Sequence, residues 1–145
     1  MWHEIKNEFD LTDFLDRHNH FHDSCIKEMK YISGAYIEGK GMHPINELRI
    51  LKMIIQGWFL NSEVIEMEFI GLKRLILFPV DEQYTSEILG ATMIIKDDCV
   101  YWCDCDGLSE NDFDSYERTL ICASNVRWRP ADEYSGPKEV YRAYK

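Results

Sequence analysis

Thr92-Met93-Ile94-Ile95-Lys96-Asp97-Asp98-Cys99-Val100-Tyr101-Trp102 is the stretch whose reading decides the fold. Two runs rich in β-branched and aromatic residues flank a two-residue Asp97-Asp98 step, which reads as a β-hairpin. Working outward, Val64 to Phe69 alternates: Ile65, Met67 and Phe69 share one face, and Glu66 and Glu68 share the other. That pattern predicts a strand with one solvated face. Gly71 breaks it, and Arg74 to Phe78 reads as a second, buried strand ended by Pro79. Thr119 to Trp128 reads as another strand, with Leu120, Cys122, Val126 and Trp128 on one face and Pro130 as its end.

Towards the N-terminus, Leu48 to Phe59 is ambiguous. Leu48, Leu51 and Ile55 lie at helical spacing, but Ile50, Ile54, Ile55 and the following Gly57-Trp58 favour a strand. Ser24 to Glu38 reads as a strand bent near Ser33-Gly34, followed by a Gly39-Lys40-Gly41 turn. Two helices complete the set. One covers residues 10–20, with Thr12 as cap and Leu11 as staple. The other covers 109–117, opened by Ser109 and Asp112 as a capping box. The expected fold class is α+β, mainly antiparallel β-sheet.

At 145 residues the chain fits one domain, 1–145. The tail over 131–145 reads as a loosely docked arm carrying Val140, Tyr141 and Tyr144. Nearly half the residues are apolar, enough for a core without disulfide or metal support. No apolar run reaches the ~18–20 residues of a membrane span. Met1-Trp2-His3-Glu4 lacks a signal peptide's basic start and apolar stretch. The five cysteines are an odd number and read as thiols in a reducing compartment. The expectation is a cytoplasmic protein. A net charge of −10 argues against nucleic acid; it reads first as an ordinary solubility device and is also compatible with a basic protein partner.

Candidate sites follow from residue type and spacing. His18, His20 and His22 form H-x-H-x-H before Asp23. In a strand they share a face and offer zinc two ligands, with Asp23, Cys25 or His3 as further donors. In a helix His18 and His22 are the neighbours instead. The plain alternative is solvated histidines with one His22–Asp23 pair. Cys99, Cys103 and Cys105 have the parity of Tyr101, but C-x₃-C-x-C occurs once and reads as core thiols. Asp104-Cys105-Asp106-Gly107 fails as a calcium loop, since its register puts Trp102 first and Phe113 last. Glu66 and Glu68 read as solvated rather than as paired catalytic acids. Arg127 and Arg129 flank Trp128 and suit either an anionic ligand or salt bridges on an edge strand. No triad, P-loop or dinucleotide fingerprint occurs.

Three strings carry a resemblance: Phe21-His22-Asp23, Tyr101-Trp102-Cys103-Asp104 and Val126-Arg127-Trp128-Arg129. Together they resemble small uncharacterised bacterial proteins, some grouped with the immunity proteins of polymorphic toxin systems. The resemblance implies a non-enzymatic binding domain and carries no functional residue across.

The leading expectation is therefore a bacterial protein-binding domain, of immunity type, with Asp97, Asp98, Asp104, Asp106, Glu110, Asp112 and Asp114 as the partner-binding set. One alternative is a metal-binding protein or metal-dependent hydrolase, with zinc held at His18, His20, His22 and Asp23. Another is a structural β module that pairs into a homodimer through an exposed strand edge.

Overall fold

The computed structural model describes residues 1–113 and 118–138, with Glu110 described in its backbone alone. Its elements are β1 (His3–Ile5), α1 (Glu8–Arg17), β2 (Cys25–Ile32), β3 (Tyr36–Glu38), β4 (Gly41–His43), β5 (Ile50–Gln56), β6 (Val64–Ile76), β7 (Thr92–Lys96), β8 (Cys99–Cys103) and β9 (Leu120–Pro130). The fold is α+β and mainly antiparallel.

The two longest strands, β6 and β9, form the spine, paired from Ile65–Pro130 to Ile76–Leu120. The sheet runs β2-β5-β6-β9-β8-β7. β1 takes the remaining half of β9, with Ile5 opposite Val126. Asp97 and Asp98, at φ 53° and 59°, make the β7–β8 connection a left-handed two-residue turn that matches the sheet twist.

The inner face packs on α1. Leu11 and Phe14 of the helix meet Phe21, Met53, Ile55, Ile65, Met67, Phe69, Trp102, Ile121 and Val126. Each such side chain contributes roughly 1.5–3 kcal/mol through burial. Asn7, not Thr12, caps the helix, its side chain accepting from Asp10 N–H at 2.9 Å. Asp10 in turn accepts from Lys6 N–H at 2.9 Å, so these two bonds start the helix a turn before Thr12.

Three strand expectations are corrected. Val64 to Ile76 is one strand, because Gly71 at φ 68° bends it without ending it. A Cβ at Gly71 would stand 3.0 Å from Ser124 Oγ, so the two strands pass closely there. β9 changes parity at Ser124-Asn125. Val126 and Trp128 therefore join the inner core, while Leu120 packs with Cys103 and Phe113 on the outer face. Ser24 to Glu38 divides into β2 and a separate β3–β4 hairpin.

Residues 110–112 form a single 3₁₀ turn, with Ser109 N–H and Oγ both donating to the Asp112 carboxylate at 2.9 Å. The rest of the predicted second helix, 114–117, lies outside the described residues. The predicted arm begins as a docked latch. Asp132 Oδ1 accepts from Ser62 Oγ, Glu63 N–H and Val64 N–H at 2.8, 3.0 and 3.1 Å. Val140, Tyr141 and Tyr144 lie outside the described residues. Among the described residues no helix is long and apolar enough to cross a membrane.

Candidate binding surface

The segment 77–91 carries Asp81, Glu82 and Glu87 and no lysine or arginine. Pro79 and the absence of any apolar period keep it out of the sheet. It is nonetheless fixed at both ends. Phe78 N–H donates to Thr119 Oγ1 at 3.1 Å. Ile88 bridges to Ser24, its N–H donating to Ser24 O at 2.6 Å, and Asp23 N–H donates to Ile88 O at 2.9 Å. Ala91 N–H reaches His20 O at 2.9 Å, and His22 Nδ1 donates to Leu89 O at 2.8 Å.

The His-rich stretch is thus the clasp of this loop. Asn19, His20 and Phe21 lie at φ 52°, 50° and 63°, and Asp23 at 58°. Consecutive left-handed residues cost roughly 1–2 kcal/mol each. Buried Phe21 and the Ser24 Oγ donation to Phe21 O at 2.5 Å hold the turn.

Ile88 is buried, and its neighbours on the segment point out. Leu77, Phe78 and Val80 are exposed, with Tyr84 at 74 % and Leu89 at 68 %. Leu77, Phe78, Pro79 and Val80 join Ile26, Thr119 and Asp104 around a cleft of about 280 Å³. Burial pushes the Asp104 carboxyl up. Asp106 packs on Gly90, where a Cβ would stand 2.8 Å from its Oδ2. The result is an apolar surface edged by carboxylates.

The predicted acidic set therefore divides. Asp104 and Asp106 border this surface. Asp97 and Asp98 sit at the other end of β8, with Asp98 roughly 20 Å from Asp104 at ~3.3 Å per residue. The Asp112 carboxylate is spent on Ser109, which holds it below the usual range. Asp114 and the Glu110 side chain lie outside the description.

The histidines do not share a face, because the left-handed turn breaks the alternation. His18 is buried among Phe14, Phe59 and Trp128, its Nδ1 donating to Phe14 O at 2.7 Å. Burial lowers it to about 4, so it is neutral at neutral pH. His20 Nε2 lies 3.3 Å from Asp16. His22 Nε2 lies 3.6 Å from Asp23, the pair expected from sequence. Among the described residues no three of His, Cys, Asp and Glu converge as a metal would require. Of the other donors considered, Cys25 is a half-buried free thiol at the start of β2, and His3 stacks on Trp128 at 4.6 Å.

Two further corrections concern the outer face. Glu66 and Glu68 are 5 % and 4 % exposed, not solvated. Arg127 and Arg129 lie on a central strand, not an edge. Arg127 Nε and NH2 approach Glu68 Oε2 at 2.7 and 2.6 Å. Arg129 approaches Glu66 Oε2 at 2.8 and 2.6 Å and Glu133 at 2.7 Å. Lys52 stands 3.4 Å from Glu68 and 3.8 Å from Glu66. The Trp2 ring covers Arg127 at 4.3 Å. Of the two roles that the sequence offered these guanidinium groups, an anionic ligand or salt bridges, the structure has the salt bridges: both hold the protein's own carboxylates.

The segment 77–91 was not among the sites expected from sequence. Its signal was fifteen residues with three acids, several large apolar groups and no cation. Comparison with family models, with curated proteins and with solved structures yields no match.

Proposed function

We propose that this chain is a non-enzymatic binding domain that docks a basic protein partner on the surface of segment 77–91. The observation that carries the reading is the anchored, uncovered apolar group Leu77, Phe78, Val80, Tyr84 and Leu89, edged by carboxylates without a cation on the segment. Exposed apolar patches rimmed by polar groups mark interaction sites. Carboxylates around them speed encounter with a basic partner and select its orientation. The specific form is an immunity-type role, in which a bacterial, cytoplasmic domain holds a basic toxin-like protein inactive. The resemblance of the three short strings supports that form.

The test is co-purification with the toxin-like products of neighbouring genes, followed by calorimetry at two salt concentrations. The expected result is a stoichiometric complex that weakens with salt and is lost in Leu89→Glu. No complex, or one that Leu89→Glu forms as tightly, overturns the reading.

A homodimer is the second reading, favoured by the β3–β4 hairpin, where Ile37 and Met42 are exposed. Light scattering decides it, and a monomer at high concentration excludes it.

A further inference from the structure

The sheet path runs from β2 at one edge to β7 at the other, and segment 77–91 spans between them. It leads into β7, and Ile88 bridges Ser24 just before β2. The cleft of about 280 Å³ opens along that span. Ile26 reaches it from β2, Asp104 directly follows β8 and Thr119 directly precedes β9, so strand ends from across the sheet meet the segment there.

Its lining is apolar apart from Ser86, Thr119 and Asp104, and Asp104 is the one ionisable group among the described lining residues. Thr119 Oγ1 is engaged with the Phe78 backbone, accepting its N–H at 3.1 Å and donating to its O at 3.4 Å. Asp104 is half-buried, and among the described residues no lysine, arginine or histidine forms an ion pair with it. Burial outweighs the attraction of Arg118 and holds its carboxyl above the usual carboxylate range. A half-buried, unpaired carboxylate bears a desolvation cost that a cation brought into the cleft offsets. The walls call for an apolar stem and the carboxylate for a positive head, and lysine and arginine side chains join the two. The volume falls just below the ~300–1,000 Å³ of sites for drug-sized ligands, which suits a single side chain.

We propose, resting on the docking surface proposed above, that this cleft is the socket for one lysine or arginine side chain of the basic partner. Its stem packs on Phe78, Val80 and Ile88, and its head pairs with Asp104. The Ser86 hydroxyl lines the same cleft and can accept a further N–H. Asp81, Glu82 and Glu87 then attract the partner at a distance, whereas Asp104 fixes one side chain at one point. The exposed Tyr84 and Leu89 supply apolar contact around that point.

The experiment has two arms, both on the intact chain. In the first, n-butylammonium and n-propylguanidinium, the two side chains without their backbones, are titrated by NMR against n-butanol as control. Saturable shifts are expected at the Ile26 and Ile88 methyls and the Thr119 amide with one or both cations, none with butanol, and none in Asp104→Asn. In the second, calorimetry uses the basic partner recovered by co-expression. Asp104→Asn should bind it at least about tenfold more weakly, the low end for a hydrogen bond to a charged group. A carboxyl raised in the folded state opposes folding at neutral pH, so this neutral isostere is expected to fold at least as stably as the wild type. No saturation with either cation, or equal shifts with butanol, overturns the socket. A complex that Leu89→Glu abolishes and Asp104→Asn leaves unchanged overturns the socket and keeps the docking surface. Absence of any complex overturns the docking reading itself, and the socket is then judged on the cation titration alone.

Discussion

Two regions of this molecule set carboxylates beside apolar groups, and they treat them oppositely. On the outer sheet face Glu66, Glu68 and Glu133 meet Lys52, Arg127 and Arg129, so three negative charges face three positive ones. On segment 77–91, Asp81, Glu82 and Glu87 have no cation on their own segment, and Tyr84 and Leu89 stand out beside them. The first region is internally neutral and covered. The second is anionic and uncovered. A cluster of charged residues at regular strand spacing is therefore the poorer guide to function in this chain. Its charges are consumed in holding β6 and β9 together, and the proposed docking surface is the irregular segment.

The comparison breaks most severely at the ladder. Arg127→Met leaves the Glu68 carboxylate buried with Lys52 as its remaining ion partner among the described residues. Removing one member of a buried pair costs about 3 kcal/mol, read as a lower urea midpoint at unchanged slope. Glu68→Gln should cost less, because the residual charge is then on Arg127, a third exposed and able to reach water. Equal losses in the two variants would contradict the burial asymmetry.

The core side supplies the next largest effect, because His18 leads into the turn that clasps segment 77–91. Its folded value of about 4 lies below the ordinary 6.5. Between these two values the unfolded chain binds the proton and the folded chain does not. The contribution is complete above pH 6.5 and declines as pH falls through that window to about 4. The loss amounts to roughly 3 kcal/mol at 1.36 kcal/mol per unit. Stability measured from pH 7 to pH 4 should therefore fall less in His18→Phe than in the wild type. Parallel pH profiles would show that His18 does not carry this sensitivity.

Smaller effects separate anchored from free segments. Asp132→Ala removes the acceptor shared by Ser62, Glu63 and Val64 and should cost about 1–2 kcal/mol, with raised amide exchange at Glu63 and Val64. Asp98→Gly relieves a left-handed residue in the β7–β8 turn and should stabilise by about 0.5–1 kcal/mol in the same denaturant assay. Tyr84→Ser and Leu89→Glu, on the uncovered surface, should move stability by less than about 0.5 kcal/mol.

The sheet was legible wherever side chains alternate without interruption. Thr92 to Trp102 and Val64 to Phe69 are strands for the reason their period gives. Alternation identifies which residues share a face, and is silent on what covers that face. Glu66 and Glu68 read as solvated because their cover, Arg129 and Arg127, arrives about sixty residues later on β9. The parity change at Ser124-Asn125 has no glycine or proline of its own to announce it, since its cause is the close passage of Gly71 on β6. The H-x-H-x-H string misled for a similar reason. Spacing assumes a regular backbone, and Asn19 to Phe21 is left-handed, so one histidine enters the core and another binds the loop. Segment 77–91 has no period to read. Its composition was visible, but its fixation by His20, His22, Ser24 and Thr119 exists only in three dimensions.

The most direct test of the central claim compares one substitution in each region. Leu89→Glu and, as reference, the outer-face Glu133→Gln are measured by calorimetry against the basic partner recovered by co-expression, with unfolding curves for both. The account predicts that Leu89→Glu folds as stably as the wild type and binds at least about a hundredfold more weakly, the loss expected of an interface anchor. Glu133→Gln should bind as the wild type does. Undiminished binding by Leu89→Glu, or equal weakening by the two variants, would contradict it.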